Sequence, residues 1–85
     1  ILVVDDDDGI RDLVKKYLNE NNFLITTAKS AEDASEKIKI IKFDLIILDI
    51  MMPGQTGLEF LSENKKKICI FIIKKGNLSL KVENT

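Results

Sequence analysis

The sequence contains no histidine and a single cysteine, Cys69, among its 85 residues. Protein zinc sites are built mainly from cysteine and histidine, so a zinc centre is not expected. One cysteine cannot form an intrachain disulfide, which fits a reducing compartment. The apolar runs, such as residues 68–73, are far too short to span a bilayer, and no signal-peptide pattern precedes Ile1. We therefore expect a cytoplasmic domain without a membrane segment.

The composition is that of one soluble globular domain covering residues 1–85. Hydrophobic residues make up 45% of the chain and charged residues 32%, and the net charge is -1. Such a balance gives no general attraction to nucleic acid, so direct DNA or RNA binding is not predicted. The charges are unevenly distributed, because acid is concentrated in residues 5–8 and base in residues 65–67 and 74–75.

Apolar segments alternate with segments of helical periodicity along the chain. Strands are predicted over residues 1–4, 23–28, 44–48 and 68–73. The first is expected to be fully buried, and the unbroken apolar core of the third indicates burial on both faces. Residues 78–82 alternate apolar and polar, as a short edge strand does. Strands alternating with helices predict a parallel sheet of the α/β class.

Three helices are predicted between these strands. The first begins near Asp8, which is expected to cap it, and ends within residues 19–22. The second is capped by Ser30, with Asp33 placed to complete a capping box. The third ends near Asn64. Their apolar faces are Ile10, Leu13, Val14, Tyr17 and Leu18 in the first helix, Ala31, Ala34, Ile38 and Ile41 in the second, and Leu58, Phe60 and Leu61 in the third.

Carboxylates follow two of the predicted strands. Residues 5–8 are four consecutive aspartates after the first strand, and Asp49 ends the third. If these strands are parallel, Asp5, Asp6 and Asp49 converge at the carboxyl edge of the sheet, where open α/β sheets bind ligands. Crowded carboxylates repel one another unless a cation neutralises them, and Mg²⁺ is the divalent ion that prefers such oxygen ligands. A magnesium site is therefore predicted.

Together, residues 1–7, 44–54 and 57–59 closely resemble the receiver domain of bacterial two-component response regulators. The acidic strand ends, the Met-Pro-Gly turn at residues 52–54 and the following Gly57 occur in the order typical of that family. The resemblance covers residues 1–67 and implies a flavodoxin-like, three-layer α/β/α fold with a parallel sheet. Residues 68–85 diverge, so the fold is expected to be incomplete at the C-terminus.

The resemblance also implies a function in phosphorelay signalling, without turnover catalysis. Asp49 would be the phosphoacceptor, taking a phosphoryl group from the phosphohistidine of a sensor histidine kinase. Asp6 would bind Mg²⁺ directly, Asp5 would hold the ion through water, and Met51 would contribute its backbone carbonyl. A carboxylate nucleophile and a charge-neutralising metal both suit phosphoryl transfer.

Two family features lack secure counterparts in this sequence. A hydroxyl residue is expected at the end of the fourth strand, where the sequence reads Ile73-Lys74-Lys75, and a lysine at the end of a fifth. Lys74, Lys75 and Ser79 are poor substitutes by position. Roughly the last third of a receiver is expected to be missing or replaced, which would leave the fourth strand as an uncovered apolar edge open to self-association.

Two other functions remain open from the sequence. A receiver remnant or kinase-docking decoy would keep the acidic motif without being able to switch. A phosphohydrolase of the haloacid dehalogenase kind is the second alternative, because residues 6–9 resemble its Asp-any-Asp nucleophile motif after an apolar strand. That alternative leaves the conspicuous segment at residues 49–54 unexplained.

Overall fold

A computed structural model describes residues 1–50, 57–74 and 77–83, with side-chain environments given up to residue 72. Strands and helices alternate along most of this chain. The strands are β1 (Leu2–Val4), β2 (Thr26–Ala28), β3 (Leu45–Asp49), β4 (Cys69–Lys74) and β5 (Asn77–Glu83), and the helices are α1 (Asp8–Glu20), α2 (Ala31–Ile40) and α3 (Gly57–Asn64). No helix of the described residues is long and apolar enough to cross a membrane.

One sheet contains all five described strands in the order β2-β1-β3-β4-β5. The first four are parallel, as the alternation of strands and helices predicts, so the predicted α/β fold is confirmed. The pairs of β1 with β2 and with β3 place the carboxyl ends of these strands at a common edge. That edge carries the predicted acidic residues.

The fifth strand corrects one expectation about the sheet. β5 pairs antiparallel with β4, so β4 has a neighbour on each side and is not the uncovered edge that was predicted. Only residues 75–76 separate these two strands, and such a short link allows an antiparallel hairpin, whereas a parallel neighbour needs a long crossover. Self-association through an exposed β4 edge therefore loses its structural basis.

The main core lies between the sheet and the helices α2 and α3. Alternate residues of β1, β3 and β4 face this side, because successive side chains of a strand point to opposite faces. Burial of these side chains removes apolar surface from water and drives the packing. The buried cluster consists of Leu2, Val4, Ala28, Ala31, Ala34, Phe43, Ile46, Leu48, Phe60, Ile70 and Ile72.

The opposite face of the sheet is less completely covered. α1 contacts β1 and β2. Val3 is buried there, but Ile47 and Phe71, which follow it in register across β3 and β4, are only half-buried. The predicted burial of β3 on both faces therefore holds fully for one face only. On α1 itself, Leu13 and Tyr17 of the predicted apolar face remain exposed.

The helix ends follow the predicted capping signals except at three positions. Asp7, not Asp8, caps α1, its carboxylate accepting the N–H of Ile10. Ser30 caps α2 as predicted, accepting the N–H of Asp33 at 3.0 Å. The Asp33 carboxylate reaches back to the N–H of Lys29, one residue before the cap, so the capping box is displaced. Ile41, predicted on the inner face of α2, follows the helix in extended conformation and is exposed.

Candidate metal centre

Three carboxylates meet at the carboxyl edge of the sheet. One carboxylate oxygen from each of Asp5, Asp6 and Asp49 lies within 4.8 Å of the others. Asp5 directly follows β1 and Asp49 is the last residue of β3, so the parallel pairing of these two strands produces the cluster. The structure thus brings together the three aspartates that the sequence predicts.

Burial makes this cluster electrostatically demanding. Asp5 is 2% exposed and Asp49 is 1% exposed, whereas Asp6 lies at the surface. For two unit charges at the separation found here, Coulomb repulsion is about 3 kcal/mol at an effective dielectric of about 20. Asp6 therefore keeps one carboxylate of the cluster in contact with solvent, next to the buried pair.

The donor set fits a hard divalent cation. All three groups offer carboxylate oxygen, which Mg²⁺ and Mn²⁺ prefer, and no histidine occurs anywhere in the chain. Three negative charges so close together also gain more from a doubly charged ion than from a monovalent one. The chemistry of these residues therefore matches Mg²⁺, and the fourth predicted ligand, the Met51 carbonyl, lies outside the described residues.

Backbone contacts hold Asp5 in place beside β1 and β2. Its N–H donates to the carbonyl of Ala28 at 3.1 Å, and its Oδ1 accepts the N–H of Asp7 at 2.9 Å. A carboxylate that accepts a backbone hydrogen bond has its orientation fixed, so Asp5 is preorganised before any ion binds. Asp7 thereby orders the loop in two ways, since its own carboxylate caps α1.

Arg11 is a supporting residue that the sequence analysis missed. Its Nη1 donates to the carbonyl oxygen of Asp5 at 2.6 Å, and its Nη2 is paired with the carboxylate of Asp8. The guanidinium therefore ties α1 to the loop that carries the acidic cluster. A basic residue three positions after an acid on a helix is the sequence signal that could have identified the pair.

Gly57 permits α3 to begin against the end of β3. A Cβ atom at this position would lie 2.2 Å from the Cα of Ile50 and 2.8 Å from the carbonyl oxygen of Asp49. Both atoms belong to the backbone and cannot be moved by a rotamer change, so a side chain here would push α3 away from the site. This close approach explains why the motif carries glycine at residue 57.

Asp8, the other acid of the hydrolase motif suggested by the sequence, lies outside the acidic cluster. Asp8 has an 86% exposed side chain and pairs with Arg11, so it does not join Asp6 in the arrangement expected for a hydrolase. Beside Asp49, the neighbouring position in β4 is Ile73, in register, followed by Lys74. Ser79 lies within β5, and Lys75 is outside the described residues.

Asp33, outside the acidic cluster, has a pKa that is lowered by its hydrogen bond and its ion pair. Burial raises the pKa of Asp33, but the hydrogen bond from the Lys29 N–H and the neighbouring Lys37 ammonium outweigh it and hold the pKa below its usual value. Lys37 lies 3.2 Å from the Asp33 carboxylate. Asp33 therefore pairs with a cation of its own helix, and together with the Lys29 N–H it stabilises the N-terminus of α2.

Comparisons with known proteins agree with this geometry. The family model for the response regulator receiver domain matches residues 1–83, continuing past Lys67 where the sequence motifs weaken. The chain is 40% identical to PetR of Rhodobacter capsulatus over 86% of its length, and 38% identical to the transcriptional regulatory protein ResD of Bacillus subtilis over 98%. It spans 31% and 36% of those proteins, about a third of the length of each.

Solved receiver structures share the fold. The response regulator TrrA from Thermotoga maritima, in complex with Mg²⁺-BeF, is 42% identical with a TM-score of 0.78, the match covering 86% of this chain and 66% of TrrA. TrrA bound to the histidine kinase ThkA gives a TM-score of 0.81, at 89% and 68% coverage. Sequence, fold and acidic cluster together show that this chain belongs to the response regulator receiver domain family.

Proposed function

We propose that the chain accepts a phosphoryl group on Asp49 from the phosphohistidine of a sensor histidine kinase, with Mg²⁺ held by Asp5, Asp6 and Asp49. The convergence of these three carboxylates at one edge of the sheet is the observation that carries the proposal. The Mg²⁺-BeF complex of TrrA and its complex with ThkA support it by similarity. The Met51 carbonyl is proposed as an additional ligand.

The chemistry is a direct phosphoryl transfer between two side chains. A carboxylate oxygen of Asp49 attacks phosphorus, the P–N bond of the phosphohistidine breaks, and the electron pair leaves with the imidazole nitrogen, which takes up a proton from solvent. Bound Mg²⁺ supplies positive charge that lowers the repulsion between the anionic donor and the carboxylate. The buried position of Asp49 at the end of β3 restricts the direction of approach, and the fixed Asp5 keeps an acidic oxygen beside it.

A phosphodonor experiment tests the proposal directly. The protein is incubated with acetyl phosphate and Mg²⁺, and its intact mass is measured. We expect an increase by one phosphoryl group that hydroxylamine removes, that EDTA prevents, and that is absent in Asp49→Asn. Asp44→Asn is the matched control, because Asp44 is an exposed acid just before β3 and outside the cluster.

The same experiment distinguishes the alternative functions. A folded protein that binds Mg²⁺ but forms no adduct would contradict phosphoacceptance and favour the remnant or docking decoy. Continuous phosphate release that depends on Asp8 and not on Asp49 would favour the hydrolase. A cytoplasmic location and a role without turnover catalysis are further parts of the proposal, and each rests on the similarity to response regulators.

A further inference from the structure

An apolar groove opens at the end of the sheet opposite the acidic cluster. It lies between the last turn of α2 and the residues that enter β3 and β4, and its volume is about 340 Å³. Asp49 ends β3, whose five residues span about 16 Å at the usual rise of a strand. The groove and the phosphoacceptor are therefore separate surfaces.

The floor of the groove is aliphatic and aromatic. Ile38, Phe43 and Ile68 line it, and each is buried or packed against the main core, which makes the floor a rigid part of the fold. Ile41 forms part of the wall and is 43% exposed. Ile40 also lines the groove and is 82% exposed at the end of α2, so the apolar lining continues out to the open surface.

The rim of the groove is basic. Lys42 and Lys67 are exposed lining residues, and neither side chain makes an ion pair within residues 1–50 and 57–72. Lys39 also lines the groove, but its ammonium is already 3.3 Å from the carboxylate of Glu36. The lining residues include no acid. Two cations thus face solvent beside an apolar surface without an anionic partner from the described chain.

We propose that this groove docks a protein segment that presents apolar side chains flanked by acidic residues. An apolar centre with a charged rim is the usual arrangement of a protein interface, and the two lysines specify the complementary charge. A small-molecule site would enclose most of its ligand, whereas this groove is open and continues onto the exposed Ile40. Because the groove lies away from Asp49, docking there leaves the phosphoacceptor accessible, and the proposal does not depend on phosphoryl transfer.

Three probes test the charge and the class of the ligand. They are a fluorescent amphipathic peptide of leucine and glutamate, its counterpart with lysine in place of glutamate, and octanoate, each titrated into ¹⁵N-labelled protein. We expect only the acidic peptide to bind saturably, to shift the backbone signals of residues 38–43 and 67–68, and to bind more weakly as salt is added.

Matched variants locate the binding surface. The double variant Lys42→Glu and Lys67→Glu should lower the affinity for the acidic peptide by about tenfold or more. Ile40→Asn should also lower this affinity, without altering the NMR signals of the core residues. Lys15→Glu with Lys16→Glu, the same charge change on the exposed side of α1, should leave the affinity unchanged. Equal binding of both peptides, no binding at millimolar peptide, or insensitivity to the groove variants would overturn the proposal. Octanoate shifting the groove signals while the acidic peptide does not would replace it with a small-amphiphile site.

Discussion

The variant Asp49→Asn should be more stable than the native protein without metal and less stable than the native protein with Mg²⁺ bound. Asp49 and Asp5 are both nearly fully buried, with carboxylate oxygens within 4.8 Å of each other. Their gross repulsion is about 3 kcal/mol at an effective dielectric of about 20. Part of this repulsion is offset in the native protein, because Asp5 accepts the N–H of Asp7. We therefore expect the variant's free energy of unfolding to exceed that of the native protein by about 1 to 2 kcal/mol in EDTA at neutral pH. For a domain of this size, each kcal/mol raises the melting temperature by roughly 4–8 °C.

Magnesium should reverse the order of the two proteins. At a concentration about 100 times the dissociation constant, an ion that binds only the folded state stabilises it by about 2.7 kcal/mol. The native protein should gain this amount, and Asp49→Asn should gain much less because one of its three acidic oxygen ligands is replaced by an amide.

Urea unfolding in EDTA and in Mg²⁺, followed by circular dichroism, measures both effects. Asp44→Asn removes an exposed acid outside the cluster, so it should change neither the metal-free stability nor the gain from Mg²⁺. Two results would refute the reasoning: a variant that is less stable than the native protein in EDTA, or a variant that gains as much from Mg²⁺ as the native protein does.

Three further predictions concern the residues that support the site. Gly57→Ala should destabilise the fold by about 1–3 kcal/mol by pushing the start of α3 off β3. Gly9→Ala in α1 should cost less, because the added Cβ meets no backbone atom and only the Asp7 oxygen that caps α1, at 3.3 Å; chemical denaturation compares the two variants. Arg11→Met should cost about 1–2 kcal/mol through the lost charged hydrogen bond to the backbone loop, and should weaken Mg²⁺ binding measured by calorimetry. The lowered folded-state pKa of Asp33 predicts stability that is present above about pH 4 and is lost as pH falls through the folded pKa; Asp33→Asn should flatten this acid limb in urea unfolding as a function of pH, and an unchanged limb would contradict the assignment.

The acidic cluster could be predicted from the sequence because its geometry follows from strand direction. Once β1 and β3 are parallel and adjacent, the residues that follow them must lie at the same edge, whatever the rest of the fold does. The capping role of Ser30 was equally local, since it depends on one side chain and a backbone N–H three residues later.

Other features depend on distances that no sequence pattern contains. The shift of the first cap from Asp8 to Asp7 depends on where the backbone leaves the extended conformation. The exposure of Tyr17 reflects how much of the sheet α1 covers, which helical periodicity does not determine. The need for glycine at residue 57 follows from the close approach of α3 to the backbone of Asp49, a distance that no sequence pattern contains. The antiparallel direction of β5, in contrast, was predictable from the two-residue link that precedes it.

Paramagnetic broadening by Mn²⁺ tests the central claim most directly. Mn²⁺ takes the same oxygen ligands as Mg²⁺, and it broadens the NMR signals of nearby nuclei. With substoichiometric Mn²⁺ and ¹⁵N-labelled protein, the backbone signals of Asp5, Asp6 and Ile50 should disappear first and recover when excess Mg²⁺ is added, while Phe43 at the opposite end of β3 stays sharp. Broadening centred on exposed acids away from the three aspartates, or broadening that Mg²⁺ does not reverse, would contradict a magnesium site formed by these residues.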